Sequence, residues 1–379
     1  MIYSGSIVVA VKQNFAPEHY FLNQLAWIDA GLVFLFIAYK VDYHIWAKLS
    51  LPGLIISIIL LVVVLIVNRD NDIKRWIDLT YFNLQPSEIA KITLLVYMSS
   101  FLAKKKEVKN ITQKAIIKHI KSDILPFLGI LGVVCGLIII EPDMDTTIML
   151  GVTCFILYFI SGSDVLHTIG SISTGLFSAL LVGIMTLSAD YRMTRFKTFF
   201  DFWKTGNISD PFNTGFQFRQ ILIAVASGGL FGVGFGESRQ KYHYLGETAF
   251  SDTIFAIFAE EFGLIGCIVL VGVFIYIFLL GYKIAMKAPD KLGFLIAIAI
   301  TTWITLQAVL HIGANVALIP INGNTLPFMS YGGSSTVINL AAIGILLNIS
   351  KGLKPREEAK SLGKRKPMLF GVRKSYKNR

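Results

Sequence analysis

Leu54-Ile-Ile-Ser-Ile-Ile-Leu-Leu-Val-Val-Val-Leu-Ile-Val67 carries no charge, and a serine is its one polar residue. The runs Leu128 to Ile140 and Ile265 to Leu280 also lack charged side chains. Apolar stretches of about 20 residues cross the hydrocarbon core of a bilayer as helices. Because 54% of the 379 residues are apolar and only 16% are charged, we predict an all-α polytopic membrane protein.

Extending this pattern along the chain predicts nine spans within one membrane-embedded domain, residues 1–350. They lie near residues 20–40, 47–67, 86–103, 124–141, 145–162, 165–188, 252–282, 291–311 and 331–350. A large loop, residues 189–251, separates the sixth and seventh spans, and we expect an interfacial helix from Gly215 to Ser227 within it. The tail, residues 351–379, is basic, and we expect it to be disordered.

The net charge of +11 is concentrated in particular loops. Lys40 to Lys48, Lys104 to Lys121, Lys283 to Lys291 and the tail are basic, whereas the intervening loops are mixed or acidic. Basic loops beside spans mark the cytoplasmic side and contact anionic lipid. We therefore predict a cytoplasmic C-terminus and no nucleic-acid partner. Met1-Ile-Tyr-Ser-Gly-Ser would then lie outside, as the end of a first helix whose body is missing.

The cysteines and histidines do not indicate a metal centre or a disulfide framework. The three cysteines lie far apart in apolar segments, and the six histidines lack metal-ligand spacing. We identify no cofactor motif, and the sequence leaves open whether a divalent cation, Mg²⁺ or Mn²⁺, takes part.

A glycine-rich bend and a group of bases precede a lone carboxylate at the mouth of the seventh span. Gly229-Leu-Phe-Gly-Val-Gly-Phe-Gly is followed by Ser238-Arg-Gln-Lys and by Leu245-Gly-Glu-Thr-Ala-Phe-Ser-Asp252. Asp252 could cap the helix, because a carboxylate stabilises a helix N-terminus. At a partly dry boundary it could instead have a raised pKa and act as a general base. We weigh the two roles equally on this residue alone.

Gln85-Pro-Ser-Glu-Ile-Ala-Lys91 resembles a helix start with two charges on one face. Glu88 and Lys91 could form a self-contained ion pair. Ionisable groups within a span also indicate a functional cavity, in which Lys91 could hold a pyrophosphate that Glu88 orients.

Three acids share the outer turn Glu141-Pro-Asp-Met-Asp145, more than a hairpin turn requires. Asp143 could bind a cation or a sugar, whereas for Asp145 we favour a solvated turn. Glu260 and Glu261 lie deeper in the seventh span, and we expect structural roles with basic partners from elsewhere.

Asn324-Thr-Leu-Pro-Phe-Met-Ser-Tyr-Gly-Gly-Ser-Ser335 precedes the last span. Pro327 would rigidify its approach, and Gly332 and Gly333 would allow close packing. Ser334 and Ser335 could bond backbone groups or the hydroxyls of a ligand.

Several motifs together resemble the SEDS family (shape, elongation, division and sporulation), which comprises FtsW, RodA and SpoVE. In chain order they are Arg75-Trp-Ile, Gln85-Pro-Ser-Glu-Ile-Ala-Lys, Glu141-Pro-Asp, Gly228-Gly-Leu-Phe-Gly-Val-Gly, Asp252-Thr-Ile-Phe-Ala, Ala259-Glu-Glu-Phe-Gly and Thr325-Leu-Pro-Phe-Met-Ser-Tyr-Gly-Gly-Ser-Ser. The resemblance extends to Asn348-Ile-Ser. Two segments, Ser238-Arg-Gln-Lys and Leu326-Pro-Phe, are more similar to the FtsW division branch than to RodA.

The resemblance implies a ten-helix fold and a peptidoglycan glycosyltransferase that polymerises lipid II outside the cytoplasmic membrane. It implies a class B penicillin-binding protein and other division proteins as partners, a place at the septum, and an essential aspartate at Asp252. The expected substrate-binding set is Glu88, Lys91, Asp143, Arg192, Arg195, Arg239, Lys241, Ser334 and Ser335. A lipid II flippase and a non-catalytic division scaffold are the alternatives.

The chain departs from the family pattern near these motifs. The family usually has Pro at Gly246, His at Phe250, Phe at Thr253 and Gly at Asp145. The acid and base groups themselves are kept.

Overall fold

The computed structural model describes residues 1–68, 75–78, 83–105, 113–162, 165–187, 190–208 and 210–352. Most of these residues are helical, as the apolar runs predict. Of the tail that we predict to be disordered, residues 351–379, Lys351 ends the last helix and Gly352 follows it, whereas residues 353–379 lie outside the described range.

Fourteen helices and one short hairpin can be delimited in the described part of the chain. They are α1 (Ile2–Lys12), α2 (His19–Lys40), α3 (Tyr43–Val67), β1 (Ile77–Asp78), β2 (Asn83–Leu84), α4 (Pro86–Ala103), α5 (Gln113–His119), α6 (Leu125–Ile140), α7 (Met144–Ser161), α8 (Val165–Leu187), α9 (Asp190–Thr205), α10 (Phe216–Ser227), α11 (Gln240–His243), α12 (Ile254–Met286), α13 (Lys291–Asn315) and α14 (Gly333–Lys351). A π-helical turn, Ile120–Ile124, joins α5 to α6, and a 3₁₀ turn, Gly246–Phe250, precedes α12. The strands pair antiparallel, with Ile77 opposite Leu84.

Seven helices in the described residues are long and apolar enough to cross a membrane. They are His19–Lys40, Tyr43–Val67, Ile116–Ile140, Met144–Ser161, Ile254–Met286, Lys291–Asn315 and Gly333–Lys351. The predicted count of nine is therefore not confirmed. Helices α4 and α8 do form at the two remaining places, but they do not meet the same criterion of length and hydropathy over their described residues.

The segment predicted as one large loop is mostly helical. A helix, α10, forms where we expected an interfacial one, and the preceding aromatic and basic stretch forms α9. The start of the chain also forms a short apolar helix, α1, which packs against α2 and the 3₁₀ turn.

A central core is formed mainly by α4, α6, α7, α13 and α14. Helix α13 is the most enclosed of the seven candidate spans, because 67% of its apolar 18-residue stretch is buried inside the protein. For the corresponding stretch of α12 the buried share is 11%. Helices α2 and α14 pack closely, because a Cβ atom on Gly344 would lie 2.4 Å from the carbonyl oxygen of Leu35. This core keeps the connections at the two ends of the bundle in fixed positions.

The loops divide between two ends of the bundle, as the charge pattern predicts. At one end, Arg75 contacts the α6–α7 turn and Ser330 contacts Ser251. We call this the site end. It comprises residues 75–78, 83–85, 141–145, 246–253 and 315–332.

At the opposite end, Lys105 pairs with Asp123, Lys291 donates to the carbonyl oxygen of Lys105, and His44 pairs with Asp290. We call this the basic end. It comprises residues 39–44, 104–105, 116–123, 287–291 and 351–352.

Helix α12 is interrupted at Gly263, where φ is 66°. The glycine-rich bend fills the interruption: Val233 N donates to Glu260 O at 2.9 Å and Leu264 N donates to Gly229 O at 2.9 Å. A side chain at Gly232 would place Cβ 2.1 Å from the carbonyl oxygen of Glu261. Glycine is therefore required where the bend and the interrupted helix meet.

Candidate functional site

Three charged side chains of the site end converge on Gly323, in the connection between α13 and α14. A Cβ atom built on Gly323 would lie 3.6 Å from Asp252 Oδ2, 3.8 Å from Arg75 Nη1 and 3.8 Å from Asp145 Oδ2. These residues come from four separate parts of the sequence, so the fold alone brings them together. The space next to Gly323 is the candidate site.

Asp252 is a half-buried residue on the turn before α12. It is not the N-cap of that helix. Thr253 holds this position, and its hydroxyl donates to the carbonyl oxygen of Thr248 at 2.9 Å. The structure therefore does not support the capping role, and the carboxylate of Asp252 faces the charged groups of the site.

Burial raises the pKa of Asp252 to about 6, while Arg75, a hydrogen bond from Ser251 and Arg195 oppose this shift. The negative charge of Asp143 raises the pKa further. A carboxyl group with a pKa near 6 is ionised at neutral pH and is more basic than an ordinary aspartate. It can accept a proton from a hydroxyl group that is placed beside it.

Arg75 is a site residue that the sequence reasoning did not propose, although it begins one of the family motifs. Its Nε donates to the carbonyl oxygen of Glu141 at 3.3 Å, and its Nη2 donates to that of Pro142. The turn between α6 and α7 thus holds the guanidinium, with Nη1 directed to the space beside Gly323. A fixed guanidinium in a partly dry site is suited to bind a phosphate.

Asp143, which was predicted to bind substrate, organises the start of two helices. Its carboxylate caps α7 by accepting from Thr146 N at 3.2 Å and Thr146 Oγ1 at 2.8 Å. It also accepts from Ser87 Oγ of α4 at 3.3 Å. Asp143 therefore joins α4 to α7 directly behind the candidate site.

Glu141 is fully buried beside these residues, and within the described part of the chain neither of its carboxylate oxygens has a hydrogen-bond partner. Burial raises its pKa to about 9, and Asp143 adds to the shift. At neutral pH the group is therefore protonated. It adds no negative charge to the acids around Asp252.

Glu88 and Lys91 form the ion pair that their spacing predicts. The Glu88 Oε2 to Lys91 Nζ distance is 2.7 Å, and both residues are buried. Lys91 Nζ also lies 5.5 Å from the centroid of the Trp303 ring. The geometry favours the self-contained pair, because Lys91 is 1% exposed and already has an anionic partner.

The serines of the α14 start make internal hydrogen bonds. Ser334 Oγ lies 3.2 Å from both Gln85 N and Asn83 O, and Ser335 Oγ lies 3.2 Å from Thr325 Oγ1. Of the two roles considered for these serines, the structure supports bonding to neighbouring protein groups.

Pro327 is buried within the connection before α14. Gly333 leaves space for the indole of Trp27, which would lie 2.4 Å from an added Cβ. At Gly332 an added Cβ would meet only ordinary contacts, so close packing is seen at one of the two predicted glycines.

Glu260 and Glu261 have the structural roles that we expected. Glu260 accepts from Ser238 Oγ and from Arg239 N, so it holds the turn before α11. Glu261 pairs with Lys241 at 2.9 Å.

This pair corrects the prediction for Lys241, which is 1% exposed and bonded inside the protein instead of facing a substrate. Arg239 is exposed beside it, and no described contact brings it to Asp252. The side chain of Arg192 lies outside the described residues, whereas Arg195 on α9 acts electrostatically on Asp252. Among the predicted substrate-binding bases whose side chains the structure describes, Arg195 is the one that acts on Asp252.

The described residues contain no group of three or more His, Cys, Asp or Glu side chains placed to hold a metal ion. Whether a divalent cation participates therefore stays a prediction.

Residues 1–354 match the model of the FtsW, RodA and SpoVE family of cell cycle proteins. A probable peptidoglycan glycosyltransferase FtsW from Trichlorobacter lovleyi is 38% identical over 358 residues, covering 93% of this chain and 89% of that protein. Stage V sporulation protein E of Bacillus subtilis is 38% identical over 356 residues, covering 93% of this chain and 92% of that protein.

Solved structures support the same fold. A chain from a peptidoglycan synthase complex that coordinates polymerization and crosslinking superposes with a TM-score of 0.70 at 24% identity, covering 92% of this chain and 96% of that chain. The rod shape determining protein RodA of Thermus thermophilus superposes with a TM-score of 0.61 at 22% identity, covering 93% of this chain and 94% of that chain.

Proposed function

Since the chain belongs to the FtsW, RodA and SpoVE family of cell cycle proteins, we propose that it is a peptidoglycan glycosyltransferase with its active site beside Gly323. Its substrate would be lipid II, polymerised into glycan strands at the outer face of the cytoplasmic membrane. The relatives named FtsW favour a role in septal wall synthesis during division.

One observation carries the proposal: a half-buried carboxylate, Asp252, shares a small space with a fixed arginine. A sugar hydroxyl is a poor nucleophile at neutral pH, and a positioned base accelerates its attack by about 10²–10⁴-fold. The raised pKa of Asp252 makes it a better base while it is still ionised at pH 7. Asp145 is also half-buried and faces this space, but its Oδ2 already accepts a hydrogen bond from Gly323 N at 2.9 Å.

The reaction would be a single displacement. The 4-hydroxyl oxygen of the acceptor sugar bonds to the anomeric carbon of the donor, and Asp252 takes the hydroxyl proton. The bond between that carbon and the pyrophosphate oxygen breaks, and the electron pair leaves with undecaprenyl pyrophosphate. Attack opposite the leaving group inverts the anomeric centre.

Arg75 and Arg195 would stabilise the pyrophosphate as its negative charge increases. Fixed cationic donors in a partly dry site are worth more than the same groups in water, because they do not need to reorganise during the reaction. The turn carbonyls that bind Arg75 already hold its guanidinium in place. Arg75 would bind the pyrophosphate, the role that the sequence suggested for Lys91, because the ammonium group of Lys91 is already paired with Glu88.

An apolar groove of about 690 Å³ lies next to this end of the molecule and suits part of a polyprenyl chain. Leu22, Leu25 and Ile28 of α2 line it on one side, and Phe235 and Phe328 line it on the other. Replacing Leu25 by Arg should raise the KM for lipid II and leave kcat within about twofold, because the groove would affect binding only. An unchanged KM would remove the groove from the proposal.

We also propose a transpeptidase partner, a class B penicillin-binding protein, consistent with the peptidoglycan synthase complex to which the chain is similar in fold. The protein is a multi-pass membrane protein. We propose the cytoplasmic membrane as its place, with the basic end inside and the site end outside.

The experiment is polymerisation of labelled lipid II by the purified protein with its partner, compared with the Asp252→Ala variant. We expect glycan strands from the wild type and none from a variant that elutes as a folded protein. Translocation of lipid II without polymer would instead support a flippase, and neither activity would support a scaffold. Polymer from a folded Asp252→Ala variant at the wild-type rate would refute Asp252 as the base.

A further inference from the structure

Two side chains hold the backbone of the turn that carries Asp252. Ser330 Oγ donates to the carbonyl oxygen of Ser251 at 2.8 Å, and Asn315 Nδ2 donates to that of Asp252 at 3.2 Å. Both donors are buried, Ser330 at 4% and Asn315 at 1% exposure. Two successive peptide groups are therefore fixed by polar groups that water does not reach.

A third hydrogen bond extends this arrangement by one residue. Tyr331 N donates to the carbonyl oxygen of Phe250 at 2.8 Å, and the two rings lie 5.4 Å apart. Tyr20 of α2 packs against both rings, 4.9 Å from Phe250 and 5.4 Å from Tyr331. The turn is thus held by hydrogen bonds to three consecutive carbonyls and by ring contacts among Tyr20 of α2, Phe250 and Tyr331.

The same connection also holds the second carboxylate. Gly323 N donates to Asp145 Oδ2 at 2.9 Å. Asp145 was predicted to lie in a solvated turn, but it is half-buried, and its carboxylate faces the space beside Gly323. One segment therefore joins the start of α7 to the turn before α12.

We infer that the connection between α13 and α14, residues 316–332, is the positioning element of the reaction, and that Ser330 and Asp145 act through it on Asp252. This inference rests on the proposed glycosyltransferase function. Ser330 sets the backbone of the turn, and Asp145 holds Gly323 at the distance that leaves room for the reacting atoms. Neither residue exchanges a proton with the substrate.

Ser330 is suited to this role because its hydroxyl is used twice. It accepts from Leu326 N at 2.7 Å while it donates to Ser251 O, so it links the connection to the turn. A displacement of about 1 Å at a reacting group can cost about 10²-fold in rate. Loss of this link should therefore change the rate more than it changes substrate binding.

The test compares Ser330→Ala with Ser99→Ala in the lipid II polymerisation assay. Ser99 is the matched control, because it is equally buried and its hydroxyl donates to Leu95 O within its own helix, α4. We expect Ser330→Ala to lower kcat about tenfold with KM within about twofold, and Ser330→Thr, which keeps the hydroxyl, to restore most of kcat. Thermal unfolding midpoints of the two alanine variants should agree.

Asp145 is tested by two substitutions of different chemistry. Asp145→Asn keeps an oxygen that can accept from Gly323 N, whereas Asp145→Ala removes it. One hydrogen bond of about 1 kcal/mol corresponds to about fivefold, so the asparagine variant should polymerise at least about fivefold faster than the alanine variant. Equal rates for the two variants would remove Asp145 from the positioning element.

The outcomes separate this inference from the proposed function. A wild-type protein that makes no glycan would refute the function. An active wild type with Ser330→Ala equal to Ser99→Ala in kcat would refute the positioning role alone. A loss of kcat matched by an equal loss of thermal stability, and not rescued by Ser330→Thr, would also refute it.

Discussion

The two ends of the bundle use their charged residues differently. At the basic end, His44 lies between Asp42 and Asp290 at 2.7 Å and 2.8 Å, and each of these aspartates also caps a helix. At the site end, Asp252 caps no helix, and it shares the space beside Gly323 with Asp145 and Arg75.

The difference also appears in the pKa values of two aspartates that lie just before helices. Hydrogen bonds from the backbone and side chain of His44 hold the pKa of Asp42 below its usual range. Burial raises that of Asp252 to about 6. A carboxylate that is paired with protein groups, like Asp42, stabilises the fold. A carboxylate that burial destabilises, like Asp252, can still accept a proton or a hydrogen bond from a ligand.

The largest expected effect comes from removing the charge at the site end. Asp252→Asn keeps the size of the side chain but not its basicity, so glycan polymerisation should fall about 10²–10⁴-fold. The matched change at the basic end, Asp290→Asn, keeps a capping side chain and should polymerise at the wild-type rate. An equal loss of polymerisation in both variants would show that the two ends do not differ in their contribution to the reaction.

The buried Glu88–Lys91 pair, between the two ends, should behave as a structural charge. Lys91→Met leaves Glu88 buried without its partner, which costs about 3–5 kcal/mol of stability. Denaturant unfolding in detergent measures this loss, and Glu88→Gln added to Lys91→Met should recover most of it. A Lys91→Met protein with wild-type stability but no polymerisation would contradict the structural role and support a role for Lys91 in the reaction.

Lowering the pH should reduce the polymerisation rate by protonating Asp252 at the site end. Asp252 accepts a proton only when it is ionised, so the rate should fall as pH decreases through about 6. At pH 5 about one molecule in ten is ionised, which predicts a rate about tenfold below the neutral plateau. At the basic end Asp42 keeps its charge over this interval, and the hydrogen bonds of His44 to Asp42 and Asp290 favour the protonated form of its ring. The basic end should therefore contribute little. An acid limb with a midpoint near 4 would show that Asp252 is not desolvated in the working enzyme.

Filling the space beside Gly323 should separate rate from stability. The backbone of Gly323 is outside the left-handed region, and an added Cβ would make only ordinary contacts. Gly323→Ala should therefore fold normally and lower kcat about tenfold, because the methyl group occupies the space between Asp252 and Arg75. Wild-type kcat in this variant would mean that the reacting atoms lie elsewhere.

The smallest expected effect is at the basic end. His44 is half exposed, with 48% of its side chain accessible, and exposed ion pairs contribute less than about 1 kcal/mol. His44→Ala should lower the unfolding midpoint slightly and leave polymerisation unchanged. A large loss of activity would show that the two ends are coupled.

Local patterns were sufficient to predict most of the fold. Apolar runs predicted the positions of the long helices, and the described parts of the lysine-rich loops lie at one end of the bundle, as the charge bias predicted. The count of nine spans is not confirmed, because α4, which carries Glu88 and Lys91, and α8 form as helices but do not meet the criterion of length and hydropathy over their described residues.

The candidate site was only partly predictable. Asp252 was identified because a carboxylate at the mouth of an apolar helix is rare. Arg75 and Asp145 had no such signal, since one lies in a loop without periodicity and the other in a turn that could equally be solvated. The substrate-binding role predicted for Lys241 was wrong, because Lys241 pairs with Glu261, next to the interruption of α12 at Gly263. These contacts depend on long-range packing.

The interruption of α12 at Gly263 has a mechanical consequence. The amides and carbonyls that a continuous helix would pair internally bond instead to residues 229–234, so the lipid-facing part can change its tilt without exposing unpaired polar groups to hydrocarbon. The short piece, 254–262, is anchored to the glycine-rich bend. The lipid-facing part, residues 264–286, would therefore adjust to changes in bilayer thickness, and the turn that carries Asp252 would not move with it.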